Sequence, residues 1–338
     1  MSEPQSLAAC PLCHGADIGP SGNYQTKQNG PRKLLICRNC GHRFSETLGS
    51  PMAGLKAPLS QVCAAIRLRS EGLGLRATAR VLNSYKRTIA HWEDLFGGMR
   101  ETLALYGLCH QFISLVFEGD ELYTIVRQRT DPQDSTGWTT VIMDRASRFL
   151  IEQRCGAKDA DLFRSAMIKV AEFAESSHDL TFLSDGERRY GNTLFDLCGE
   201  ALRTGKRGRP RITLPEGVKV RIKNKGDQRH RRGRKRAKYQ APCPEHPANT
   251  GTVPDAAIHA DHCEAHNAAL RRRNSAFRRR TNTYAKTTAG LQRTLDVNLI
   301  VHNYVRRHWT TGKVPAVALG ILREPMSIET IMGMRKAA

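Results

Sequence analysis

Two cysteine pairs near the start narrow the folding options more than any other feature: CPLC at Cys10 and Cys13, then CRNC at Cys37 and Cys40, with 23 residues between them. Each C-x-x-C turn aims two thiolates at one point, and two such knuckles joined by a small β arm enclose a single ion. Gly15 and Gly41 follow closely, where tight turns call for positive φ. The spacing predicts a structural Zn2+ site with Cys10, Cys13, Cys37 and Cys40 as ligands, His14 or His42 being substitute ligands. Free thiols or a redox pair are the plainer alternative. A closed shell of four sulfurs leaves no open position, so this zinc holds structure and does no chemistry. Residues 1–50 are read as a zinc ribbon, a binding module.

Charge constrains the partner. The 338-residue chain carries 53 Lys and Arg against 32 Asp and Glu, a net charge of +21. Such an excess points to a polyanion, because phosphates attract it through counterion release whatever their sequence. MSEPQSLAAC has neither the basic start nor the long apolar run of a signal peptide, and no window long enough to cross a bilayer is free of charges. A cytoplasmic, nucleoid-associated location with no membrane anchor is expected. In a reducing compartment the ten cysteines need a reason other than disulfides.

From Pro58 to Phe96, apolar positions including Val62, Ile66, Leu75, Ala79, Ile89 and Trp92 recur at helical spacing, interrupted by EGLG and NSYK. Three short helices follow, and GLRATARVLNSYKRTIAHW fits a helix-turn-helix in which Ala77 and Ala79 keep the first helix close. Its last helix presents Tyr85, Lys86, Arg87 and His91 to duplex DNA. A three-helix packing unit without DNA contact is the bland alternative.

After a linking helix near Arg100 to Leu108, the pattern changes to period two. FEGDELYTIVRQ and GWTTVIMDRASRFLIEQRC read as three strands, DADLFRSAMIKVAEFAE as a helix, LTFLSDGERRYG as a strand ending in an acid, and NTLFDLCGEAL as a helix. This order predicts an α/β domain with a mixed sheet. Asp120 is placed at the start of the first strand and Asp185 just past the fourth, where side chains of neighbouring strands converge. Glu264, on a later helix, can supply a third carboxylate.

The segments GDELYT, LSDGERRYG and HCEAHNAALRRRNSAFRRRTNTYAKT resemble the three catalytic motifs of DDE transposases from bacterial insertion sequences. The nearest type is the insertion sequence 1 family, which combines a zinc ribbon, a helix-turn-helix and a ribonuclease H-like domain. The resemblance covers residues 10 to 310 and implies Asp120, Asp185 and Glu264 as the catalytic triad. It further implies Mg2+ or Mn2+ as catalytic cofactor, held by those same acids, because two hard cations about 4 Å apart suit phosphodiester chemistry. The 78 residues between Asp185 and Glu264 depart from the compact integrase-like arrangement, and leave Glu121 or Glu187 as substitutes for the nearer acid.

On a helix, Asn267, Arg271, Ser275 and Arg278 fall near the direction of Glu264, while Cys263, Leu270 and Phe277 fall on another side. The apolar side is expected against the sheet, with Asn267, Arg271 and Arg278 toward DNA. Arg273 and Arg280 do not fit this division, so the helix is wrapped by DNA or ends early. Between the second and third motifs lies a basic insertion, about residues 203–258. Residues 201 to 240 hold 16 Lys or Arg and two acids. There, Arg207-Gly208-Arg209-Pro210 matches a short hook that lays arginines in a minor groove, with a flexible phosphate-binding arm as the alternative. GVKVRIKN can supply another strand. Cys243, His246, His259, His262 and Cys263 form an irregular set that a second metal could use.

The expected organisation is thus multidomain α/β. A zinc ribbon (1–50) is followed by a helix-turn-helix domain with its linking helix (51–108). A ribonuclease H-like catalytic domain (109–312) and a C-terminal tail (313–338) complete it. The expected activity is cleavage and joining of double-stranded DNA at transposon ends and target, by a homo-oligomer, since two ends are handled together. A non-catalytic DNA-binding regulator and a nuclease that does not join strands are the rival readings.

Overall fold

The computed structural model describes residues 9–205, 207–224, 238–240, 244–251, 253–278 and 282–337. The middle of the basic insertion, Cys243 and Arg280 lie outside the described residues.

Strands β1 (Ile18–Thr26), β2 (Gly30–Cys37) and β3 (Arg43–Ser45) form an antiparallel three-stranded sheet between and beyond the cysteine knuckles. Its own small core is Cys10, Leu35, Cys37 and Phe44. Four helices follow: α1 (Leu59–Ser70), α2 (Leu75–Val81), α3 (Lys86–Gly97) and α4 (Arg100–Leu108). Val62, Ile66, Ala79, Ile89, Trp92 and Phe96 are buried, as the helical spacing requires.

The next part is a mixed α/β unit. Strands β4 (Leu115–Tyr123), β5 (Trp138–Asp144) and β6 (Leu150–Gly156) make an antiparallel meander. Helix α5 (Ala160–Glu175) is capped by Asp159, whose side chain accepts from the Leu162 N–H at 3.0 Å. It buries Leu162, Phe163, Ala166, Met167, Val170 and Phe173, spaced so that one side faces the sheet. It leads to β7 (Leu180–Ser184), which pairs in parallel with β4. After α6 (Arg189–Cys198), the hairpin β8 (Glu200–Leu202) and β9 (Arg211–Thr213) projects, and β10 (Val218–Asn224) returns parallel to β7. A short β11 (Lys238–Gln240) completes a six-stranded sheet in the order β11-β10-β7-β4-β5-β6.

Helix α7 (Asp261–Arg273) and helix α8 (Thr288–Ile300) cover the other face, packing Cys263, Leu270, Leu291 and Leu295 on Leu122, Val141, Met143 and Leu150. Buried Arg100 of α4 ties this side together by donating to Glu152 of β6 and Asp296 of α8. No helix among the described residues is long and apolar enough to cross a membrane.

Three expectations change. Asp120 is not at the start of its strand, because β4 begins upstream at Leu115 and Asp120 lies in its second half. The helix expected through GEAL ends at Cys198: Gly199 takes an extended ψ of 133°, and the chain turns into the β8–β9 hairpin. The C-terminal segment is no loose tail. It forms α9 (Pro315–Ala318) and α10 (Ile328–Gly333), and Ile328, Ile331 and Met332 join the same apolar core as α1 and the sheet.

Gly119 is required where α6 packs on β4. A Cβ there would stand 2.7 Å from the Phe182 ring and 3.2 Å from Tyr190. Gly119→Ala should therefore lower stability by about 1–3 kcal/mol, as overpacking does, and a denaturant midpoint equal to wild type would refute this packing.

Candidate active site

Strand alternation sorts the acids of GDELYT onto opposite faces. Leu115 and Phe117 point to the core shared with α5 and α6, and Glu121 continues that side. Glu118, Asp120 and Leu122 point the other way, toward α7. Gly119 pairs with Ser184, the last rung of the parallel ladder between β4 and β7, so Asp120 continues β4 just past that rung while Asp185 follows the end of β7. Gly186, at φ +80°, then turns the chain sharply away.

Helix α7 lies over this point because its start is fixed by Glu118. This carboxylate is fully buried and accepts from the Arg145 guanidinium at 2.5 Å. It also accepts from the His262 backbone N–H at 3.0 Å, and His262 Nδ1 lies 2.7 Å away. Arg145 donates in addition to the carbonyls of Ala257 and His259, each at 2.8 Å, holding the loop that enters the helix. An acid at a helix N-terminus also gains from the helix dipole. With the start fixed, Asn267 donates to Asp120 Oδ2 at 2.8 Å, and exposed Glu264 stands close enough to repel the Asp120 carboxylate.

Burial first, then the neighbouring Glu121 and Glu264 carboxylates, push the Asp120 carboxyl up to about 6, against hydrogen bonds from the Glu121 backbone and Asn267. Beside it, Asn267 Oδ1 is buried without a hydrogen-bond partner among the described residues. An acid left short of positive charge, an orphaned amide oxygen and an all-oxygen donor set fit a hard divalent cation. The three acids are not gathered as tightly as the cysteines, since they are not among the groups whose ligand atoms all lie within 4.8 Å of one another.

Glu121 and Glu187, the substitute acids, are engaged elsewhere. Lys158 reaches Glu121 at 3.0 Å and Glu187 at 3.6 Å, and Arg189 donates to Glu187 at 2.8 Å. Glu118, His259 and His262 also bring ligand atoms within 4.8 Å of one another. There the Arg145 cation already occupies Glu118, which makes this group an anchor for α7. Glu118 escaped the sequence reading because an acid inside a strand looks solvent-facing, and its partners lie 27 and 144 residues away.

The other candidate residues fall as follows. Tyr85, Lys86, Arg87 and His91 are all exposed at and beyond the start of α3. Arg207 and Arg209 are exposed in the loop of the β8–β9 hairpin. Arg271 is half-buried on the Glu264 side of α7. Asn267, expected toward DNA, is instead buried at 2% exposure against Asp120. Helix α7 ends at Arg273, because Asn274 becomes extended and its side chain caps a short turn at Ser275–Phe277. Ser275 and exposed Arg278 therefore leave the helical line of Glu264.

The four ribbon cysteines converge. Their sulfurs lie within 4.8 Å of one another, with Cys10 to Cys40 at 3.7 Å and Cys13 to Cys37 at 3.5 Å. A tetrahedron with Zn–S bonds of about 2.3 Å has edges of about 3.8 Å. The group could hold a structural zinc. The left-handed residue of the first knuckle is His14, at φ 57°, with Gly41 at φ 74° in the second.

No protein-family model matches this sequence, and no curated protein is significantly similar to it.

Two measurements test these sites. Reduced protein should carry about one zinc per chain, falling sharply in Cys37→Ser; a metal content unchanged by that substitution would exclude the cluster. Glu118 and Asp120 should respond with opposite signs. Glu118→Ala leaves the half-buried Arg145 without its acid and α7 without its anchor, and should cost about 3 kcal/mol. Asp120 is protonated in both folded and unfolded chains below pH 3.8, and stability it contributes there is lost as pH rises through about 6. Asp120→Asn should then stabilise the metal-free protein at neutral pH, on the order of 2 kcal/mol, with the gain vanishing in acid. Melting curves across pH in a chelating buffer read both.

Proposed function

We propose that this chain is a DNA transposase of the insertion-sequence type, which binds the ends of a mobile element, cuts them and joins them to target DNA. One observation carries the reading: α7 lays Asn267 on the Asp120 carboxylate and brings Glu264 close to it, on the strand whose parallel neighbour β7 ends one residue before Asp185. The sheet order, an antiparallel meander followed by parallel β7 and β10, supports a ribonuclease H-like catalytic domain. A net charge of +21 and the exposed residues of α3 support double-stranded DNA as partner.

Magnesium or manganese bound by Asp120, Asp185 and Glu264 would activate water, then a 3′-hydroxyl, and would stabilise the leaving oxygen. The chain's own residues do the positioning. Asn267 fixes the rotamer of Asp120 through its 2.8 Å hydrogen bond. Glu118 and Arg145 hold the start of α7, and so the place of Glu264. Lys158 neutralises Glu121 and Glu187, keeping them from competing as ligands. Arg271 supplies positive charge two turns from Glu264 on the same side of α7, and Arg207 and Arg209 extend the basic surface along the hairpin. Handling two DNA ends in one event requires a homo-oligomer, and the zinc ribbon serves as a second DNA-binding element beside α3.

Asp185→Asn should lower metal-dependent cleavage of end-bearing DNA about a hundredfold or more, the loss expected when a metal ligand worth several kcal/mol is removed. End binding, measured by gel shift, should stay within twofold of wild type. Unchanged cleavage would remove Asp185 from the site, and cleaved but never joined products would favour a nuclease.

A further inference from the structure

An open cavity lies on the flank of α7 away from Glu264, bounded by the β5–β6 turn, α7 and the segment after α8. Positions 265, 269 and 273 of α7 face it, roughly 140° round the helix from Glu264. Five arginines line it, Arg148, Arg272, Arg273, Arg306 and Arg307, and no carboxylate does among the described residues. Of the five, Arg306 alone makes an ion pair within 4 Å among the described residues, with Glu71 outside the cavity, while Glu118 and Asp144 act on Arg148, and Glu71 on Arg273, from farther away. So many cations around one space repel each other unless an anion joins them.

The cavity is built by irregular backbone. After α8 the residues Val301–Val305 make a π-helical turn, a widening that recurs at functional sites. It places His302 against the cavity wall, its Nε2 2.8 Å from the Arg148 carbonyl and its ring 5.0 Å from His266. Burial pushes His302 down to about 3, so it lines the space as a neutral hydrogen-bonding ring. Arg148 sits at φ +66°, a conformation L-residues rarely adopt, and its Nη1 is buried with no hydrogen-bond partner among the described residues. Burial, and for Arg273 also the nearby Arg306, hold the Arg148 and Arg273 guanidinium groups below their usual range.

At the rim stands Trp309, 98% exposed. A bare indole beside a cationic trough is the pairing that holds unpaired nucleotides, the phosphate in the trough and the base against the ring. A duplex offers no base face to such a ring, because its bases are stacked on each other.

We infer that this cavity is a second nucleic-acid site, which takes a single-stranded segment with its phosphodiesters on Arg148, Arg272, Arg273 and Arg307 and an unpaired base on Trp309. The inference stands on the cavity and does not require the cleavage reading.

The test uses the full chain, a short labelled single-stranded oligonucleotide and, separately, a duplex of the same sequence. Trp309→Ala should weaken single-strand binding about tenfold, as loss of one base stack does. The double variant Arg272→Ala/Arg307→Ala should reduce the salt dependence of that binding by about 0.7 per lost phosphate contact. Duplex affinity should stay within twofold in both variants. All three side chains are exposed, so both proteins should melt like wild type. Single-strand affinity unchanged in both variants, or duplex affinity falling equally with it, would overturn the assignment. As an independent readout, the oligonucleotide should quench tryptophan emission in wild type and not in Trp309→Phe. Of the other two tryptophans, Trp92 is buried and Trp138 is half-buried with its indole N–H bonded to Pro132.

Discussion

Everything on the α7 side of the sheet depends on one buried carboxylate. Glu118 sits at 0% exposure in β4 and gathers Arg145 from the β5–β6 turn together with the first backbone amides of α7. Burying a charge is costly, and the cost is offset only when a counter-ion and several donors arrive together. Here they arrive from a turn and a helix start, so strand, turn and helix are pinned at a single point. The positions of Glu264 and Asn267, two and five residues after His262, then follow from helical geometry.

The same economy separates the acids. Asp120 and Glu121 are adjacent in sequence, yet the pleat sends one to α7 and the other toward Lys158 on the opposite face. One acid is neutralised within the protein, and the other keeps its charge only against burial and like-charged neighbours. A group held in that condition raises the energy of the folded chain, and such local cost is common where a protein must receive something from outside.

Much of this was legible in the sequence because it follows local periodicity. The meander, α5 and β7 announce themselves by spacing, and the cysteine pairs by arithmetic. What escaped depends on distant partners. The alternation puts Asp120 near a strand start only if the strand begins at Phe117, and Leu115 and Val116, ahead of it, belong to β4 as well. Asn267 looks polar and therefore wet, but its partner is an acid 147 residues away. The end of α7 was hidden by an arginine run that would continue a helix comfortably. It is broken by Asn274, which finds a local hydrogen bond to Ala276 instead. Nothing in the four residues RRHW shows that a π-helical turn will bring them to the same cavity as Arg148.

The buried side chains of α1 and α3 belong to the same continuous apolar core as Phe117, Phe182 and Ile331. Close-packed interiors transmit displacement instead of absorbing it. In the proposed reading, a sequence recognised by α3 and a bond cut at Asp120 would be held at a set distance within one protomer. The protein would then act as a ruler, choosing its cut by geometry from the place it grips.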